Sequence, residues 1–266
     1  MLDHEKATVV EKILSGIVFF RTREVIYKIT SPTRETRGLA DFLANEASQD
    51  LNFSQLITKE ELKETLNSKG IWTYEDDRKL KASEDTIEEI QISVYKNFFN
   101  SKAKNSLKRR LDGLRKAISQ AHERKGSLDS VTLESYFDFI KERFIIGMSL
   151  YDINNTKIYD ADTFFQQDAL MLDKAYDAWI SQYAIIPHLR EVARTNPWKS
   201  YWDSCQNTSV FGVGTLDLNL FQRNVILFSK MYENARQSPE SPPDEVFEDD
   251  DAFDGWMAVQ RKEADK

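Results

Sequence analysis

The chain has 266 residues, a formal net charge of −8, a single cysteine and few glycines or prolines. That length buries a core without staples, and the lone Cys205 leaves no internal disulfide framework, so a reducing compartment fits best. No apolar run approaches the roughly 20 residues needed to span a bilayer, the opening MLDHEKATVVEKIL lacks the pattern of a secretory signal, and the acid excess argues against nucleic-acid binding by the whole surface. The expectation is a soluble, cytoplasmic, mainly α protein with no membrane association.

In chain order, Val9, Val10, Ile13 and Leu14 share one face of a first helix, which Gly16 ends. Ile17 to Ile29 is dense in β-branched and aromatic residues and forms at most a short β-hairpin. Ser31-Pro32 reads as the next helix start, with Leu39, Phe42, Leu43 and Ala47 as its buried stripe. Thr58 to Glu61 has the form of a capping box, with Leu62 and Leu66 inward and Gly70 as a left-handed stop, and Thr73 caps another helix. Leu80, Ile87, Ile90, Val94 and Phe98 then recur at near-heptad spacing. After the polar break Asn100-Ser101-Lys102, the residues Leu107, Leu111, Leu114, Ile118 and Ala121 alternate steps of four and three. Two such seams joined by a short turn predict an antiparallel helical hairpin that ends at Gly126-Ser127.

Val131 to Met148 is a helix rich in large apolar groups (Tyr136, Phe137, Ile140, Phe144, Ile145), Asn154-Asn155 is a turn, and Asp162 to Ile186 is again helical, with Phe165, Leu172, Trp179, Tyr183 and Ile186 inward. Pro187 and Pro197 punctuate two shorter pieces, and Leu218 to Ala235 is a last long helix after a loop that starts at Gln206. The proline-rich, acidic run from Ser238 reads as an extended linker before a short amphipathic element. The fold expected is a helical bundle divided into an N-terminal region (1–70), a helical hairpin (71–126), an aromatic-rich core (127–237), an acidic linker (238–252) and a C-terminal element (253–266).

Residues with catalytic or metal-binding chemistry are scattered. His4, His122 and His188 are far apart and belong to no HExxH or paired-cysteine motif. Asp152 to Thr156 begins like a calcium loop, but Lys157 replaces the required glycine and Thr163 the bidentate glutamate; Asp160 and Asp162 fit a turn and a helix cap. Cys205 with His188 and Asp203 has the right residue types for a nucleophile, base and orienter without a spacing that defines a triad, and Gly212 and Gly214 are too few for a dinucleotide loop. No catalytic residue, metal or cofactor is assigned, and a non-enzymatic role is expected.

Two binding elements stand out. Lys104, Lys108, Arg109, Arg110, Arg115 and Lys116 lie in a basic stretch that grips phosphates, receives the acidic run of the same chain, or simply forms the solvated face of a helix. In the tail, Asp250 and Asp251 sit at a helix N-terminus, where the macrodipole favours acids, and Phe253, Trp256, Met257 and Gln260 are expected on one face. That stripe suits helix-in-groove docking on a protein partner, or it folds back to complete the core of its own domain.

Residues 56–90 and 218–263, the latter through DDDAFDGWMAVQ followed by basic residues, resemble proteins encoded among the tail and virion-morphogenesis genes of large tailed bacteriophages, of the tail-assembly-chaperone type. The resemblance implies a helical protein without a cofactor that binds a tail or baseplate component in the host cytoplasm or is retained in the virion. A structural virion subunit and a nucleic-acid-associated regulator using the 102–125 face are the alternative readings.

Overall fold

The computed structural model describes residues 1–48, 56–162, 164, 169–205 and 208–264. The chain is mainly helical. In order come α1 (Asp3–Ser15), β1 (Val18–Thr22), β2 (Val25–Ile29), α2 (Arg34–Ser48), α3 (Lys59–Ser68), α4 (Tyr74–Lys96), α5 (Ser101–Asp129), α6 (Leu133–Met148), β3 (Leu150–Asp152), α7 (Ala169–Ser181), α8 (Leu189–Arg194), α9 (Trp198–Cys205), α10 (Leu220–Gln237), α11 (Asp244–Phe247) and α12 (Asp250–Ala264), with short 3-10 turns between some of them. Among the described residues, no helix is long and apolar enough to cross a membrane. The chain forms two compact units that are discontinuous in sequence: Met1–Leu51 with Phe137–Asn234, and Asn52–Tyr136 with Ala235–Lys266.

In the first unit, Gly16 ends α1 in the left-handed conformation (φ 60°), and the hairpin β1–β2 follows in register Val18 opposite Ile29. A third strand, β3, pairs antiparallel with β2 and makes a small sheet of order β1-β2-β3. Periodicity does not announce three residues that are held by a long-range ladder and by the burial of Leu150 alone. Ser31 is not the cap of α2, since its hydroxyl donates to the Gly16 carbonyl at 3.1 Å; Thr33 caps instead, accepting from the Thr36 amide at 3.1 Å. The helix starts later, and the face it buries is not the one expected: Ala40 is buried and Leu43 packs at the edge of the core, whereas Leu39 and Phe42 are exposed, Phe42 at 62%. The core gathers Ile29, Ala40, Phe144, Ile146, Met148, Leu150, Tyr159, Phe164 and Ala175, with Leu172 and Trp179 at its edge.

Helix α7 begins at Ala169 and gives way to a 3-10 turn at Gln182–His188, so Tyr183 and Ile186 lie exposed rather than inward. Phe165, Thr163 and Gln206 lie outside the described residues. Beyond α8 and α9 a second aromatic layer closes on α10: Trp198 is fully buried, stacks on Trp202 and Phe211, and donates its indole N–H to Ser229 at 2.8 Å. Asn219 and Gln222 form a capping box at the start of α10, and Gln222 also donates to the Ile13 carbonyl at 3.0 Å.

In the second unit, Thr58 and Thr73 cap α3 and α4 through reciprocal bonds with Glu61 and Asp76, and Gly70 takes φ 64° between them. Leu62, Leu66 and Trp72 make one small core. The hairpin of α4 and α5 is present, and Leu111 is its fully buried centre. Gly126 does not break α5, which runs on to Asp129; no proline follows, and an isolated glycine costs a helix only about 1 kcal/mol.

The helical hairpin and its C-terminal clasp

The C-terminal segment belongs to the second unit and packs along α4. It is neither an extended linker nor a free docking arm. Inside the acidic run, Val246 and Phe247 on α11 are fully buried, and Phe247, Phe253 and Trp256 follow one another at ring-centroid separations of 5.3 and 5.7 Å. Phe253 is 0% exposed and Trp256 3%, so of the two readings of the stripe, docking on a partner or completing the core of its own unit, the structure has the second. Leaving two such rings in water forgoes roughly 1.5–3 kcal/mol each, and the groove of α4 is within reach. Met257, expected on the same face, points outward, while Gln260 reaches Glu240 at 3.1 Å and the Trp256 indole donates to the Glu240 carbonyl at 3.1 Å.

Small residues permit the close approach. Ala252, Gly255 and Ala258 are all buried, and a Cβ at position 255 would stand 2.0 Å from the Gln91 carbonyl oxygen. The Gln91 side-chain amide in turn donates to the Asp254 carboxylate at 3.0 Å.

Charge closes the clasp at both ends of α12. Asp249, one residue before the helix, accepts from the Ala252 amide at 3.3 Å as its cap and pairs with Lys108 at 2.8 Å and Lys104 at 3.9 Å. Asp251 meets Arg115 at 2.5 Å. At the other end, Arg261 and Lys262 both reach Glu88, at 2.8 and 3.1 Å. Part of the basic face thus receives the acidic run of the same chain. Asp250 is half-buried beside these pairs. Asp249, which organises the contact, is recognisable only once the first residue of α12 is known, because that decides which aspartate caps.

The basic stretch of α5 divides into sides of the helix. Lys104, Lys108 and Arg115 line the flank that meets Asp249 and Asp251. Lys125 pairs with Asp77 at 2.8 Å, and this ammonium, with the Trp72 indole, holds the Asp77 carboxyl below the usual carboxylate range. Lys102, Arg109 and Lys116 recur every seven residues, two helical turns, so they share the side opposite the leucine seam over about 21 Å. They are exposed, as is Arg110, and none of the four has an ion-pair partner among the described residues.

The other candidates resolve into structure. Asp152 accepts from the Thr156 amide at 2.7 Å, which closes a turn and lowers its carboxyl pKa, with Asn155 at φ 68°. His188 and Asp203 are exposed, Cys205 is half-buried, and no hydrogen bond joins them among the described residues. His122 pairs with Glu84 at 2.9 Å across the hairpin. Among the described residues no three His, Cys, Asp or Glu side chains are grouped to hold a metal ion. Comparison with protein-family models, with curated proteins and with solved structures finds no match to this chain.

Proposed function

We propose that the chain is a non-enzymatic protein-binding factor of phage tail or virion assembly, and that it engages its partner through the outward face of the α4–α5 hairpin rather than through its tail. One observation carries this reading: in a chain of net charge −8, Lys102, Arg109 and Lys116 form an exposed row along α5, while Lys104, Lys108 and Arg115 on the flank of the same helix are already paired. Uncompensated charge aligned on a rigid helix steers an oppositely charged partner and sets its register more than it adds affinity. The phage setting comes from the resemblance of residues 56–90 and 218–263 to morphogenesis proteins.

The test is co-purification from infected cells of the parent and of Arg109→Glu with Lys116→Glu, beside a salt titration against duplex and single-stranded DNA. A tail or baseplate protein should co-purify with the parent and be lost from the variant, with no micromolar DNA binding at physiological salt. Tight DNA binding that weakens steeply with salt and vanishes in the variant would instead make the same face a phosphate-binding one.

A further inference from the structure

Phe98 and Phe99 are adjacent in the turn between α4 and α5, and the fold treats them oppositely. Phe98 is buried; the Lys104 ammonium lies 4.0 Å from its ring centroid and 3.9 Å from Asp249. Ring, cation and carboxylate complete one another within the chain. Phe99, edge-on to Phe98 at 5.3 Å, is 77% exposed, and the exposed Lys96 and Lys102 flank it in sequence with no ion-pair partner among the described residues.

The segment that presents Phe99 is held on both sides. The Asn97 side chain donates to the Ser93 carbonyl at 2.9 Å, the Asn100 amide to the Asn97 carbonyl at 2.9 Å, and the Ala103 amide to the Asn100 side chain at 3.2 Å. Burying a ring on such a turn costs little backbone entropy, the condition under which an aromatic side chain anchors an interface.

We propose that Phe99 is the apolar anchor of the hairpin surface, and that it enters an apolar pocket rimmed by carboxylates on a partner protein, with Lys96 and Lys102 meeting the rim. This rests on the reading of the hairpin as the partner-binding face and adds where the contact is anchored and what the partner must present. The chemistry is that of Phe98, Lys104 and Asp249, repeated one residue on with the covering group and the acid still to be supplied. A lipid or nucleic-acid surface is disfavoured because it would bring an extended sheet of phosphate toward a chain of net charge −8, whose Asp244, Glu245 and Glu248 are exposed on the same unit. A local acidic rim meets only the tip.

The experiment places p-benzoylphenylalanine at position 99 of the full chain, irradiates infected cells and maps the cross-linked peptide by mass spectrometry. One protein should be trapped, at a segment mixing apolar residues with Asp or Glu. Phe99→Ala should then weaken binding to that purified protein by at least about 30-fold, as loss of an aromatic anchor does, while the thermal unfolding curve stays that of the parent. Cross-links to nucleic acid, to lipid or to a second copy of the chain, or unchanged affinity of Phe99→Ala, overturn the proposal. If Arg109→Glu with Lys116→Glu abolishes binding while Phe99→Ala does not, the anchor is wrong and the hairpin reading stands; if neither variant affects binding, both fall.

Discussion

In the first unit, elements far apart in sequence are joined by ion pairs such as Lys6–Glu191 and, around the start of α10, by neutral hydrogen bonds that are buried or part-buried: Gln222 to the Ile13 carbonyl, Asn219 to Ser31, Trp198 to Ser229. In the second, the sequence-distant joints of α12 are a buried apolar stripe with half-exposed ion pairs at either end. The two solutions divide stability differently. A buried amide cannot exchange its partner for water, so breaking it costs the whole desolvation of what is left behind. An exposed ammonium can, so the charges of the clasp choose where α12 sits while Phe253 and Trp256 supply most of what keeps it there.

That division is broken or kept by two sets of variants in the second unit. Phe253→Ala or Trp256→Ala should each destabilise it by about 3–5 kcal/mol, as deletion of a buried ring does. Lys108→Ala with Arg115→Ala should cost less, about 1–2 kcal/mol for each half-exposed pair because the carboxylates left behind are only 12–13% exposed, and the cost should shrink in high salt. Urea midpoints measure both. If the charge variants prove the more damaging, the clasp is electrostatic and the aromatic stripe is secondary.

A smaller effect belongs to the first unit. Gln222→Ala strands the Ile13 carbonyl and the Asn219 amide in a buried setting, which should cost about 1–3 kcal/mol. Because no formal charge is involved, the loss should be the same at low and high salt. A strong salt dependence of this loss would erase the contrast between the two units.

The parts legible in the sequence are those determined within one or two turns of chain. Thr58 with Glu61, the Thr73 cap, Gly16 and Gly70 act through neighbours close in sequence, the seam through Leu111 shows in its own spacing, and the structure has each of them. What escaped depends on partners far away. The hydroxyl of Ser31 is claimed by Gly16, which moves the cap to Thr33; β3 exists through its pairing with β2; and Val246-Phe247, hidden in an acidic run, declares itself only where the rest of the unit supplies a core. The binding surface shows the same limit. Which of the cations on α5 stay unpaired is decided by aspartates more than a hundred residues later.

A further small effect tests the local devices themselves. At the start of α4 the Thr73 backbone amide and hydroxyl both donate to Asp76, at 2.8 and 2.7 Å, and these bonds hold its carboxyl below the usual carboxylate range; Thr58 does the same for Glu61 at the start of α3. Since the folded pKa lies below the unfolded one, each carboxylate contributes stability that is fully present above the ordinary value of about 4 and is lost as pH falls through the depressed one. Asp76→Asn should therefore be less stable than the parent near neutrality, and the difference should narrow steadily as the solution is acidified below about pH 4. Thr73→Ala, which removes the hydroxyl half of the box, should cost about 1 kcal/mol at pH 7. Urea midpoints measured from neutral to acid pH decide the matter: a gap between parent and Asp76→Asn that stays constant across that range would mean that the ionised carboxylate contributes nothing to the cap, and that α4 is started by packing alone.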